Sequence, residues 1–356
     1  MSRSVKSPVF GRRKARPSLS LTAGTPLRLE AIRRYTGFES PEWRKHIRAL
    51  APHRCVIDER SVTGAAPKDF IYLYERGLSV DPRNHLTWPA YIAKVGHKNY
   101  PSESITEQLI TRLGQTIGVS VADSRLIASN DQIRFLSRYF LTEGEMMLTH
   151  GAEILSGYLN DETFVRQVAE DKQDKVTFTF QELCHAIKYV YPGQLEAILG
   201  GVVRMIGFDA LVGNMDRHIY NWGVVSSPTG SFPARFSPIF DTARGLFWNI
   251  SEEGLTKFET PRQLAKYVNE AKPQIGWDGA GEDINHFQLL QRVAALHGRY
   301  GRILAGLVSN QTLEKCVAVI NSEFRELFST QRRELIVLCL RTRFEAYQAI
   351  LREAAC

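Results

Sequence analysis

Residues 213–223 read GNMDRHIYNWG, so that Asp216, Arg217, His218 and Asn221 fall within a single short stretch. Just before it, Leu195, Ile198, Leu199, Val202, Val203, Ile206 and Leu211 recur at the spacing of one helix face. That period predicts a buried helix ending at Gly213. Polar side chains at the end of a rigid, buried helix are well held for chemistry. An ordinary solvated loop could have the same composition, so the flanking sequence has to decide.

Downstream, residues 236–245 read FSPIFDTARG, an apolar strand pattern ending at Asp241. An Asp, an Asn five residues later and a second Asp after the next hairpin form a layout suited to phosphoryl transfer. In such a layout Asp216 accepts the proton of an attacking hydroxyl, while Asn221 and Asp241 hold Mg²⁺ on nucleotide phosphates. Magnesium takes oxygen ligands and keeps several waters, so two protein oxygens suffice.

Upstream, residues 61–68 read SVTGAAPK, with small residues around Gly64. Small residues let backbone N–H groups approach phosphate oxygens. The same stretch also reads as a simple turn. Lys94 stands in the otherwise apolar run YIAKVG, and a buried lysine needs an anion. A water-facing lysine on an edge strand is the other reading. Helical spacing of Ile105, Leu109, Leu113 and Ile117 predicts a helix over 102–118. Glu107 in its first turn is placed to pair with Lys94, or to close a capping box with Ser104. Strands are expected at 69–77, 90–96, 124–129 and 133–140, and helices dominate from 143 onward except over 213–250. The expected fold is therefore α+β and bilobed, with a small β-rich lobe (55–142), a larger helical lobe (143–356) and a basic, partly flexible segment (1–54) before them.

Taken in order, these motifs resemble the HipA-like serine/threonine kinases, which are distant relatives of the phosphoinositide kinases. SVTGAAPK is similar to that family's phosphate loop, YIAKVG to its ATP-lysine strand, and ITEQLITRLGQTIG to its Glu-bearing helix. FLSRYF falls where its hinge lies, LVGNMDRHIYNWG resembles its catalytic loop, and SPIFD its metal-binding strand. The resemblance implies a protein-kinase-like fold and ATP with Mg²⁺ as cofactors. It implies Asp216, Lys94 and Glu107 as catalytic residues, and Asn221 and Asp241 as metal ligands. Nucleotide contacts would come from Val62, Thr63, Gly64, Ala65, Lys94, Ser137, Arg138 and Tyr139. Ser61 and Thr63 would be autophosphorylation positions. It also implies a Ser/Thr-bearing protein substrate, such as an aminoacyl-tRNA synthetase, with growth arrest as the outcome, and an antitoxin partner with a DNA-binding domain. The short stretch before residue 60 is closer to the HipT type, in which a separate small protein supplies the N-terminal subdomain. The hinge triplet Arg138-Tyr139-Phe140 lacks the family's acidic residue.

Composition sets the outer bounds. The chain has 356 residues and a formal net charge of +7. Residues 1–60 hold 14 Lys and Arg against 5 Asp and Glu, so the rest of the chain is slightly acidic. The basic character belongs to the N-terminal segment, which suits a solubilising tail or a contact with an anionic partner. Five scattered cysteines without a CxxC pair argue for reduced thiols in a cytoplasmic protein and against a zinc site. No long apolar run predicts a membrane span. Three other functions fit the same residues: a phosphoinositide or small-molecule kinase, a pseudokinase scaffold, and a regulator tethered to DNA by its basic segment.

Overall fold

A computed structural model describes residues 41–60, 68–96, 102–129, 132–171, 173, 177–280 and 284–354. Five antiparallel strands form one sheet: β1 Cys55–Asp58, β2 Lys68–Leu73, β3 Ala90–Val95, β4 Ser124–Ser129 and β5 Gln132–Arg138. Their spatial order is β1-β2-β3-β5-β4. Short alternating runs rich in Ile, Tyr, Phe and Leu suit such pleated, half-buried strands. In β3, Tyr91, Ala93 and Val95 are buried, while Ile92 and Lys94 point to the other face. Lys68 of β2, Lys94 of β3 and Phe135 of β5 stand opposite one another in register, so they share one face of the sheet.

The expected helix over 102–118 is α2, Glu103–Ile117, preceded by the short α1, Pro41–Arg44. Ile105, Leu109 and Leu113 of α2 are fully buried. Gly118 ends it in the left-handed conformation (φ 81°), a C-cap that glycine adopts without steric cost. The N-cap is Ser102; Ser104 lies inside the helix and is buried. Glu107 is thus two residues too far in to close a capping box, and its carboxylate is used elsewhere.

The described end of the N-terminal segment is tied to this sheet. Leu50 N–H donates to Ala128 O at 2.8 Å and Ala128 N–H to Arg48 O at 3.0 Å, which lays residues 48–50 along the edge of β4. Nothing in the sequence pattern marks that pairing. Beyond β5 the chain is mostly helical, with a second small sheet of β6 Met147–His150, β7 Gly223–Ser226 and β8 Arg235–Phe236. The anticipated apolar helix runs Leu195–Val212 and is buried on nearly every side from Ile198 onward. One apolar core joins α2 to it and to the last helix, Thr330–Ala354, through Ile105, Leu109, Phe208, Leu211, Phe344 and Tyr347. The architecture is α+β and bilobed, a small sheet-and-helix lobe set on a larger helical one. Among the described residues no single helix is long and apolar enough to cross a membrane.

Candidate active site

The two lobes meet at Lys94. Its Nζ donates to Glu107 Oε1 at 2.7 Å and to Asp241 Oδ1 at 3.0 Å. Lys68 approaches the second oxygen of the same aspartate at 3.5 Å. Residues 147 positions apart thus share one ion cluster. Burial alone would lower the Lys94 pKa, but Asp241 and Glu107 outweigh it and hold the ammonium charged. Burial alone would raise the Asp241 carboxyl, and Lys94 and Lys68 instead hold it well below the usual carboxylate range. Asp241 sits at φ 55°, a left-handed backbone that is uncommon outside glycine, although Asp and Asn adopt it more readily than other residues. Such strain persists only where the surroundings fix it.

The GNMDRHIYNWG stretch folds back from Gly213, which closes the apolar helix in the left-handed conformation (φ 66°). Its anchor is Asp209, inside that helix and 3% exposed. Arg217 Nε and Nη2 donate to the two Asp209 oxygens at 2.9 and 3.0 Å. The same guanidinium donates to the carbonyls of Asn221 and Phe240, both at 2.7 Å. Asn214 Nδ2 donates to Asp209 as well, at 2.9 Å, and Asn214 Oδ1 accepts from Asp216 N–H at 3.2 Å. Arg217 therefore ties the loop to the residue preceding Asp241, rather than facing a phosphate. His218 accepts from Tyr220 N–H through Nδ1 at 3.3 Å, a contact internal to the loop. Asp209 went unread in the sequence, although a carboxylate in an apolar helix needs a countercharge.

Removing that anchor has a calculable cost. Truncating one partner of a buried ion pair strands the other charge and costs about 3–5 kcal/mol. Asp209→Ala is expected to lower stability by about that amount, read by chemical denaturation, with Asp209→Asn intermediate because it keeps an acceptor oxygen.

Asp216 lies beside this anchor. Burial raises its pKa above the ordinary carboxylate value, against the opposing charges of Arg244 and His218. Asn221 Nδ2 donates to Asp216 O at 2.8 Å, which orients the amide and leaves its oxygen as a potential ligand. Asn221 and Asp241 thus present oxygen donors of the kind a hard divalent cation takes. Among the described residues no group of three or more His, Cys, Asp or Glu side chains could hold a metal alone. A cation here would complete its shell with phosphate and water oxygens.

The last helix, Thr330–Ala354, braces these elements from behind. Arg343, 1% exposed, donates to Ala210 O at 2.9 Å and Val268 O at 3.1 Å. Arg332, fully buried, pairs with Glu252 at 2.6 Å and donates to Phe247 O at 3.1 Å. No motif announces either arginine.

The hinge expectations divide. Ser137 and Tyr139 lie on the Lys94 side, where the Tyr139 ring packs edge-on against Phe70 at 4.9 Å. Arg138 is not brought into the site: it stands opposite Tyr91, with its guanidinium over that ring at 5.4 Å on the other face of the sheet. Its N–H donates to Asp123 O at 2.6 Å and that of Tyr139 to Ala90 O at 2.9 Å. Both donors are already used within the protein. Phe240, just before Asp241, instead meets Phe140 and His150, each with ring centroids 6.0 Å away. Ser61, Val62, Thr63, Gly64 and Ala65 lie outside the described residues. A cavity of about 690 Å³ behind α2, lined by Arg112, Arg125, Arg138, Glu75 and Leu327 among others, is separate from the Lys94 cluster.

Comparison with known proteins bears on the family and the fold. The HipA-like C-terminal domain family matches residues 60–310. The fold is similar to that of the Helicobacter pylori proinflammatory kinase CtkA, with a TM-score of 0.66 and 17% identity over 85% of this chain and 96% of that one. The fold is therefore kinase-like. A weaker likeness, with a TM-score of 0.44 and 13% identity, covers 83% of this chain and 67% of a chain from the Shewanella oneidensis HipA, HipB and operator DNA complex. No curated protein matches the sequence closely.

Proposed function

The chain belongs to the HipA-like family, and from that premise we propose that it is an ATP- and Mg²⁺-dependent serine/threonine protein kinase of HipA/HipT type. The observation that carries the reading is Lys94 held between Glu107 and Asp241. A lysine so placed can contact nucleotide phosphates without changing its charge, and kinase catalysis depends mainly on such positioning. Asp216 orients the acceptor hydroxyl and takes its proton. A new bond forms from the Ser/Thr Oγ to the γ-phosphorus as the bond to the ADP oxygen breaks. Bound Mg²⁺ would neutralise the phosphate oxygens, with Asn221 and Asp241 as its protein ligands. Val62, Thr63, Gly64 and Ala65 would cover the phosphates with their backbone, and Ser61 and Thr63 are the proposed self-modification positions. An antitoxin partner and a separate small N-terminal subdomain protein follow from the family resemblance alone.

Self-modification gives a clean test, because residues 61–68 form one tryptic peptide between Arg60 and Asp69. After incubation with ATP and Mg²⁺, mass spectrometry is expected to show phosphate on SVTGAAPK, and none in the Asp216→Asn protein. A phosphate in this loop adds roughly −1.5 to −2 charges beside the ATP phosphates, so the modified protein should bind ATP poorly. An active enzyme whose 61–68 peptide stays unmodified would rule out this regulation.

A further inference from the structure

The carboxylate assigned as the catalytic base is covered. Arg244 Nε lies 3.2 Å from Asp216 Oδ2, and Arg244 Nη1 donates to Asp216 Oδ1 at 3.2 Å. Both oxygens thus face one guanidinium, and a hydroxyl that donates to Asp216 must displace part of that fork. The contacts are longer than the roughly 2.7–2.9 Å of strong charge-assisted bonds, so they are open to exchange. The Arg244 side chain is 46% exposed, against 24% for Asp216. One side of the cation already faces solvent.

Only the side chain has room to move. Arg244 O accepts from Met215 N–H at 3.0 Å, and Leu246 N–H donates to Val212 O at 3.2 Å, zipping this loop to the catalytic loop. A Cβ on the intervening Gly245 would stand 2.5 Å from Val212 O, so the two backbones touch. Leu246 and Phe247 hold positive φ angles of 45° and 63°, and Phe247 is clamped by Arg332. The guanidinium also lies over the Trp248 ring at 5.2 Å, a face that can keep the cation in place after it leaves Asp216. Among the described residues, the other Lys and Arg side chains of the site are committed: Lys94 and Lys68 to the Glu107–Asp241 cluster, and Arg217 to Asp209.

We propose that Arg244 reads the substrate: it covers Asp216 in the free enzyme and binds an anionic side chain next to the acceptor hydroxyl in the complex. The inference rests on the kinase reading and adds the substrate class, a Ser or Thr flanked by a carboxylate or a phosphorylated residue. A neutral neighbour leaves Arg244 competing with the hydroxyl for Asp216. An acidic neighbour supplies a replacement partner and frees the base, and a basic neighbour is repelled.

The test is kcat/KM on degenerate Ser/Thr peptides with one fixed neighbour: Asp, Glu, phosphoserine, Gln or Lys. The wild-type enzyme is expected to favour the acidic or phosphorylated set over the Lys set by about tenfold or more. Comparing the Asp and phosphoserine arms tells a carboxylate from a phosphate source. Arg244→Glu should invert the order toward Lys, an outcome that a purely structural role for Arg244 does not produce. Arg244→Gln, which carries no charge, should flatten it, so the inference stays testable should the Glu variant fold poorly. ATP hydrolysis with water as acceptor is followed in parallel. Turnover with no preference among neighbours overturns the Arg244 proposal alone, whereas absence of both hydrolysis and peptide transfer overturns the kinase reading with it.

Discussion

Asp216→Asn is expected to cut phosphoryl transfer by about 10²- to 10⁴-fold, the usual contribution of a positioned proton acceptor, while the protein keeps or gains thermal stability. The second half distinguishes a catalytic carboxylate from a structural one. Burial raises the Asp216 pKa in the folded protein. A carboxyl raised above its unfolded value is disfavoured in its charged form, so at neutral pH its ionisation opposes folding. An amide of the same shape removes that cost. The partner it gives up, Arg244, is nearly half exposed, and ion pairs open to solvent contribute at most about 1 kcal/mol. The same shift sets the pH profile. Because the base must be ionised, activity should fall at acidic pH through a pKa above the ordinary carboxylate value. Melting curves and single-turnover rates across pH check both expectations. A large loss of stability in Asp216→Asn would make this residue a structural one.

Asp241→Asn is expected to differ in sign. Its carboxyl is held low by Lys94 and Lys68 against the effect of burial. A depressed folded pKa contributes stability above the unfolded value, and that contribution is lost as pH falls through the folded one. The variant should therefore melt lower than wild type at pH 7, and the gap should close on acidification. Activity should fall about 100-fold or more, because Mg²⁺ would lose a charged ligand whose help to the transition state is worth several kcal/mol. Mg²⁺-dependent nucleotide binding should weaken too, as titration calorimetry would show. Asp216→Asn should leave that binding nearly intact. If the two variants behave alike in stability and nucleotide binding, the division of roles between them is wrong.

Much of this site was legible because its residues break local patterns. Lys94 interrupts an apolar strand, and the polar loop follows an apolar helix at a glycine. Asp241 closes a short apolar run. Each exception needs a partner, and order along the chain suggests which. The strands 90–96 and 124–129 and the helix over 102–118 were equally readable from period. Other features carry no local signal. The pairing of residues 48–50 with β4 depends on the sheet edge and not on composition. Asp209 in its apolar helix calls for a countercharge, but only the fold-back of the helix end shows that Arg217, eight residues on, supplies it. Arg244 reaches Asp216 only because Gly245 lets two loops touch. Arg332 and Arg343 sit in one long helix, and both are buried against backbone carbonyls of distant segments. At the hinge, motif order suggests Arg138 as a nucleotide contact, and strand alternation turns its side chain to the face opposite Lys94.

The most direct measurement of the central claim is transfer of the labelled γ-phosphate of ATP to protein, compared for wild type and Asp216→Asn, with Mg²⁺ and with the cation chelated. The expected result is label on wild-type protein in Mg²⁺ only and almost none on the variant. Equal labelling of the two proteins, or labelling that survives chelation, would contradict the assignment of Asp216, Asn221 and Asp241 to Mg²⁺-dependent phosphoryl transfer.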